Sequence, residues 1–218
     1  MIRVFEPQVT TKDKISVLKS LFQKNISGTS PIVKEFEEMT ANKFNRKYSV
    51  SVSNGSVALD IALQSLNLKE GEEVILPSHT IISCLSAVVR TKATPIFCDV
   101  DDQTWNMTLS EVKKHVTKNT KAILMVHIFG LPSEAKQIDK FCKENGIYLI
   151  EDAAEAHGQQ QMGQLCGSFG DISTFSFYAN KHVTTGEGGL VVTDSTETYK
   201  KLVQMRNLDF TKERFKHE

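Results

Sequence analysis

Residues 120–152 read TKAILMVHIFGLPSEAKQIDKFCKENGIYLIED, and the fold follows from how this stretch divides. Ala122 to Ile128 is a strong strand, apolar almost throughout. Ala135 to Glu144 carries a helical pattern that stops at Asn145-Gly146, because glycine accepts the left-handed conformation that closes a helix. Ile147 to Ile150 is again nearly all apolar and runs into Glu151 and Asp152. Strands without a polar face are buried on both sides, as in parallel sheets covered by helices.

The rhythm extends in both directions. Ile15, Leu18, Leu21 and Phe22 recur at helical spacing, and Pro31 suits the start of a second helix bearing Val33 and Phe36. Tyr48–Val52 is a short β-rich run, followed by Ser53-Asn54-Gly55-Ser56 and an Ala/Leu-rich helix through Leu66. A turn at Leu68–Gly71 precedes the strand Val74–Leu76, which Pro77 ends. Ile81–Val89 reads as helix, Pro95–Phe97 as strand, and Leu109 with Val112 as a short helix. Beyond the opening stretch, Ile172–Phe177 and Leu190–Val192 are strands and Thr198–Met205 is a helix. This alternation predicts an α/β domain of three layers around a mostly parallel, seven-stranded sheet. Ligands of such sheets bind beyond the carboxyl ends of the strands, so functional residues are expected in the segments that follow each strand.

Charge and cysteine usage narrow the class. Twenty-six Lys+Arg balance 26 Asp+Glu in 218 residues, which removes the electrostatic case for a nucleic acid or an anionic membrane as partner. The longest apolar stretch, Ala122–Leu131, is too short to span a bilayer and contains His127. Residues 1–20 scatter Lys12, Asp13, Lys14 and Lys19 among apolar residues, so no signal-peptide core is read there. Cys84, Cys98, Cys142 and Cys166 form no CxxC pair; they read as reduced thiols of a cytoplasmic protein, and no metal site is expected.

Three post-strand segments carry possible chemistry. Ser53–Ala58 is a glycine turn opening a helix, where backbone N–H groups and a serine hydroxyl can hold a phosphate; the plainer alternative is a serine N-cap. Neither GxGxxG nor GxxxxGK[ST] is present. Glu151–Gly158 places Asp152 at a strand end among alanines, either as a buried carboxylate facing a cationic ligand or as a helix N-cap; His157 reads as structural. Phe175–Gly189 sets Lys181 between an aromatic strand and a glycine-rich turn, where desolvation would favour imine chemistry; an exposed loop lysine is the alternative. A phosphate cradle, a carboxylate and a lysine at the strand ends of one sheet are together the contacts that pyridoxal 5′-phosphate (PLP) requires.

With these segments in view, the chain resembles the sugar aminotransferases of the DegT/DnrJ/EryC1/StrS family, fold type I PLP enzymes. The segments that carry the resemblance are Asn54–Leu59, Pro77–Thr80, Glu151–Gly158, Gly167–Asp171 and Phe175–Gly189. Thr80–Cys84, Asp101–Met107 and Asn180-Lys181-His182 are most similar to the branch that forms GDP-perosamine. The resemblance implies catalytic roles for Lys181, the Schiff-base and proton-carrying lysine, and Asp152, the partner of the pyridine nitrogen. It implies cofactor binding by Gly55, Ser56 and Ser176 at the phosphate, Ile81 against the ring face, and Glu155 near the 3-hydroxyl, where many relatives have glutamine.

The implied reaction moves the amino group of L-glutamate to the 4-keto group of GDP-4-keto-6-deoxymannose, in a homodimer. Residues 1–218 are expected to be the PLP-binding large domain with an N-terminal helical segment, without the family's smaller C-terminal domain. Two alternatives stay open. One is a PLP-dependent sugar 3-dehydratase, whose members replace the Schiff-base lysine with histidine, so Lys181 argues against it. The other is a catalytically silent module for binding or dimerisation.

Overall fold

The computed structural model describes residues 6–208; residues 1–5 and 209–218 of the expected domain lie outside the described residues. The helices are α1 (Thr11–Phe22), α2 (Pro31–Lys43), α3 (Gly55–Gln64), α4 (Ile82–Arg90), α5 (Leu109–His115), α6 (Ala135–Asn145) and α7 (Thr196–Arg206). The strands are β1 (Tyr48–Val52), β2 (Glu73–Pro77), β3 (Thr94–Cys98), β4 (Thr120–Val126), β5 (Tyr148–Asp152), β6 (Gln160–Gln161), β7 (Gln164–Leu165), β8 (Ile172–Ser176) and β9 (Gly189–Thr193). Seven of the strands form one sheet in the order β1-β9-β8-β5-β4-β2-β3. All neighbours are parallel except β9, which runs antiparallel to both β1 and β8.

Alternating side chains of the same strands feed two cores. Val74, Leu76, Leu124 and Ile150 pack with Leu59, Leu63, Val88 and Leu202 under α3, α4 and α7. Ile75, Ile123, Met125 and Leu149 pack with Val112, Ile138 and Cys142 under α5 and α6. The period of two along a strand therefore explains why these runs lack a polar face and why the domain has three layers. A third cluster stacks Phe44 on Phe175, ring centroids 4.1 Å apart, and packs α2 against the β8–β9 end of the sheet.

Helix and strand positions agree with the sequence reading to within a few residues, and Gly146 closes α6 at φ 65°. Two features differ. The short hairpin β6–β7, turning through Met162 and Gly163 at positive φ, has no alternating apolar pattern to reveal it. The apolar residues of α1 have the expected period but no buried position: Phe22 is 85% exposed and Ile15 60%. Among the described residues no helix is long and apolar enough to cross a membrane.

The centre of the sheet is organised by one carboxylate. Glu151, fully buried on β5, accepts N–H groups from Gly167 (2.6 Å), Phe169 (2.9 Å) and Gly170 (3.1 Å) and the Ser173 hydroxyl (2.8 Å). Its fifth partner is His127 Nε2 at 3.0 Å, and His127 Nδ1 in turn accepts the Ser133 N–H at 3.0 Å. The Ser133 bond places the imidazole proton on Nε2, directed at Glu151. His127, Glu151 and the buried Cys166 lie close enough to suggest a metal site. Their nitrogen and carboxylate lone pairs are already engaged in this network, so it is a hydrogen-bonded girder. Gly167 is required for it: at φ +94° a Cβ there would lie 2.1 Å from the Phe175 ring.

Burial pushes the Glu151 carboxyl up, but the His127 bond and the N–H groups of Gly167 and Gly170 outweigh it, leaving the group below its ordinary value. A depressed carboxyl stabilises the fold above the ordinary glutamate range and loses that contribution as pH falls through its folded value. Glu151→Gln removes the charge and aims an NH₂ at groups that are themselves donors. Losing one partner of a buried network costs about 3–5 kcal/mol, which lowers Tm by about 10 °C in a domain of this size. Thermal unfolding at pH 7.5 checks the size of the loss, and the gap from wild type should narrow toward pH 4. An unchanged Tm would show that the five bonds are not the girder described.

Candidate active site

At the carboxyl edge of the parallel strands lies a cavity of about 470 Å³, within the range of small-molecule sites. Gly55, Ser56, Ile81, Asp152, Glu155, Ser176 and Lys181, singled out from the sequence, all line it. A slightly larger cavity of about 500 Å³ lies at the opposite sheet edge, among Arg46, Asp171 and Asp194. There Arg46 pairs with Asp194 at 2.9 Å and Asp171 accepts the Leu149 N–H at 2.8 Å, so its charges are spent on holding strand ends.

One end of the first cavity is built for an anion. The α3 cap is Asn54, whose Oδ1 accepts the Val57 N–H at 2.9 Å; no serine caps this helix. Asn54 takes the place of the serine cap that the sequence suggests. The serines are thereby left to the cavity: Ser56 Oγ lies 2.7 Å from Ser83 Oγ, and Ser176 Oγ accepts the Tyr178 N–H at 3.3 Å. A Cβ on Gly55 would stand 2.7 Å from Ser176 Cβ, so only glycine lets the start of α3 press onto the end of β8. First-turn N–H groups with hydroxyls from three elements form an anion cradle. Ser83 was not singled out in the sequence, since a serine in the first turn of a helix carries no signal of its own.

A carboxylate stands deeper in the cavity. Asp152 ends β5 at 3% exposure, with a turn rather than a helix after it, so the N-cap alternative does not hold. Its Oδ1 accepts the Ala154 N–H at 3.0 Å and its Oδ2 the Cys84 thiol at 3.6 Å. Burial raises the carboxyl above its ordinary value, and the Ala154 N–H, Cys84 and the Lys181 charge only partly offset this. A carboxylate in that condition gains from a cation delivered into the cavity.

The lysine is largely buried and paired. Lys181 Nζ donates to Glu155 Oε1 at 2.8 Å, with the two side chains 15% and 30% exposed. Glu155 Oε2 accepts the Phe129 N–H at 2.7 Å, and Phe129 holds φ 52°, a strained value for an aromatic residue. Lys181 therefore sits in an ion pair anchored to the segment after β4. Ile81, 60% exposed, supplies an apolar wall. His157 packs 5.4 Å from both Phe175 and Phe177, its ring nitrogens buried without partners, and burial lowers it to about 4. It is a neutral packing residue.

Residues 8–218 match the DegT/DnrJ/EryC1/StrS aminotransferase family. The chain belongs to that family. It is 42% identical over 205 residues to the GDP-perosamine synthase of Escherichia coli O157:H7, covering 94% of this chain and 56% of that protein. Among solved structures, an aminotransferase from Psychrobacter cryohalolentis superposes with a TM-score of 0.91 at 33% identity, over 97% of this chain and 55% of that one. The E. coli GDP-4-keto-6-deoxy-D-mannose-3-dehydratase, solved with hydrated PLP, gives 0.90 at 31% identity, over 97% and 56%. The chain thus spans little more than half the length of the relatives it matches. The three-layer sheet is the fold type I arrangement of these neighbours.

Asp152 gives this family site a stability signature. A raised carboxyl destabilises the fold above the ordinary aspartate range, and the penalty disappears as pH falls below it. Asp152→Asn, without added cofactor, should therefore unfold at a Tm equal to or above wild type at pH 7.5, the advantage vanishing near pH 4. Scanning calorimetry at both pH values checks this. A variant less stable than wild type at pH 7.5 would mean that Asp152 is a structural carboxylate.

Proposed function

We propose that this chain is the PLP-binding large domain, over residues 1–218, of a nucleotide-sugar aminotransferase. The proposed reaction transfers the amino group of L-glutamate to the 4-keto group of GDP-4-keto-6-deoxymannose. The observation that carries the reading is the meeting of the α3 cradle, Asp152 and the Lys181–Glu155 pair in one cavity. The likeness to a GDP-perosamine synthase supports the choice of sugar. Four unpaired cysteines support a cytoplasmic setting.

The residues present fit the cofactor. Its phosphate would be held by the first-turn N–H groups of Gly55 and Ser56 with the Ser56 and Ser176 hydroxyls. Asp152, buried and short of a cationic partner, would hold the protonated ring nitrogen. Ile81 would cover a ring face and exclude water from it. When bound, PLP supplies an aldehyde for amine condensation and an electron-withdrawing ring. Lys181 would hold that aldehyde and, when free, carry a proton on Nζ. Glu155, 2.8 Å away, keeps Lys181 oriented and would sit near the ring hydroxyl. We further propose a homodimer, in which a two-fold partner completes the site.

Likeness to the E. coli dehydratase supports a second reading, sugar 3-dehydration on the same scaffold, against which Lys181 speaks. Borohydride reduction of the PLP-treated protein with peptide mapping should put the pyridoxyl mass on Lys181, and Lys181→Ala should abolish it. L-glutamate should bleach the visible chromophore of the unreduced protein in a single turnover. An adduct on another lysine overturns the assignment, and no chromophore at all favours the silent module. Light scattering at micromolar concentration should give twice 24.4 kDa; a single-chain mass would count against the dimer.

A further inference from the structure

Helix α4 begins directly under the cavity, and two consecutive residues of its first turn reach opposite ends of the site. Ser83 Oγ meets Ser56 Oγ at 2.7 Å on the anion cradle. Cys84, fully buried, places its sulfur 3.6 Å from Asp152 Oδ2 and 3.4 Å from Thr80 Oγ1. We infer that Cys84 is a positioning residue for Asp152: its thiol donates to Oδ2 while its sulfur accepts the Thr80 hydroxyl, linking the cavity wall to the buried carboxylate.

The direction of this chain follows from the chemistry of its members. Asp152 Oδ2 can only accept when ionised, so the proton between sulfur and oxygen belongs to the thiol. With its one proton committed, the sulfur faces Thr80 as an acceptor, and Thr80 lines the cavity. Burial, and then the neighbouring Asp152 charge, push the Cys84 thiol well above its ordinary value, so it is an S–H donor at neutral pH. Cys84 is thus no nucleophile here.

A thiol is a weak donor, and that suits the position. Oδ1 is already fixed by the Ala154 N–H at 3.0 Å. A strong donor on Oδ2 would compete with an incoming cationic N–H. A thiol holds the carboxylate plane while leaving most of the acceptor strength available. Loss of a hydrogen bond of this kind costs about three- to tenfold in an equilibrium it supports.

The test has one arm that needs no cofactor and one that rests on the proposed function. In ligand-free protein, the infrared S–H stretch of Cys84 is isolated by subtracting the spectrum of Cys84→Ser from wild type. It should appear as a hydrogen-bonded thiol and move to higher frequency in Asp152→Asn, whose neutral amide is a weaker acceptor. An unshifted band overturns the inference. In the second arm, PLP is titrated by absorbance into wild type, Cys84→Ala and Cys84→Ser, with Tm measured for each. Cys84→Ala should bind about three- to tenfold more weakly, and Cys84→Ser, which still fixes the carboxylate but with a stronger donor that competes for Oδ2, should recover only part of that loss. Equal losses in the two variants would make Cys84 a packing residue and overturn its positioning role. If wild type takes up no PLP, the proposed function fails, and the infrared arm alone decides the thiol–carboxylate link.

Discussion

Glu151 cannot be removed from the centre of this molecule without releasing several segments at once. Its two oxygens gather donors from the 167–170 loop, from β8 and, through His127, from the segment after β4. An ionised carboxylate tolerates full burial only when charge-assisted hydrogen bonds replace its water. Here they do, and the cost of burial is turned into a fixed geometry for three chain segments that no hydrophobic contact would align as specifically.

The site inherits that geometry through the strand repeat. Glu151 and Asp152 are neighbours on β5, so their side chains leave opposite faces of the sheet. Fixing the first sets the register of β5 against β4 and β8, where Asp152 is paired with Val126 and Thr174. The second is then presented to the cavity with few partners of its own. One carboxylate is saturated and depressed, the other undersupplied and raised. Adjacent acids of one motif thus divide into a saturated carboxylate and one left open to the cavity by the faces they occupy.

The cavity also shows how cheaply a sheet edge becomes a site. Glycine at position 55 lets a helix start approach Ser176, and Asn54 takes over the capping that a serine would otherwise provide. Glu155 reaches both Lys181 and the strained Phe129 backbone, so the lysine is held from the far side of the cavity rather than by its own loop. Strain at Phe129 is tolerated because the surrounding bonds leave the segment no other course.

The order of strands and helices was legible from periodicity, since apolar runs of strand length and helical repeats record burial directly. The Gly55-Ser56 turn, Asp152 and Lys181 stood out at strand ends, whereas Ile81, Glu155 and Ser176 came from the resemblance; the structure shows that all seven line one cavity. What the sequence could not tell was partnership. Asn54 rather than a serine caps α3, Lys181 has Glu155 as its partner, and α1 buries none of its apolar residues. Ser83 and Cys84 stood in a segment of the resemblance without a role of their own, because their contacts form only where α4 meets α3 and β5, far apart in the chain. Periodicity is local and survives in the sequence by itself. Hydrogen-bond partners and the balance of burial against charge are set by residues distant in sequence, and only the tertiary structure decides them.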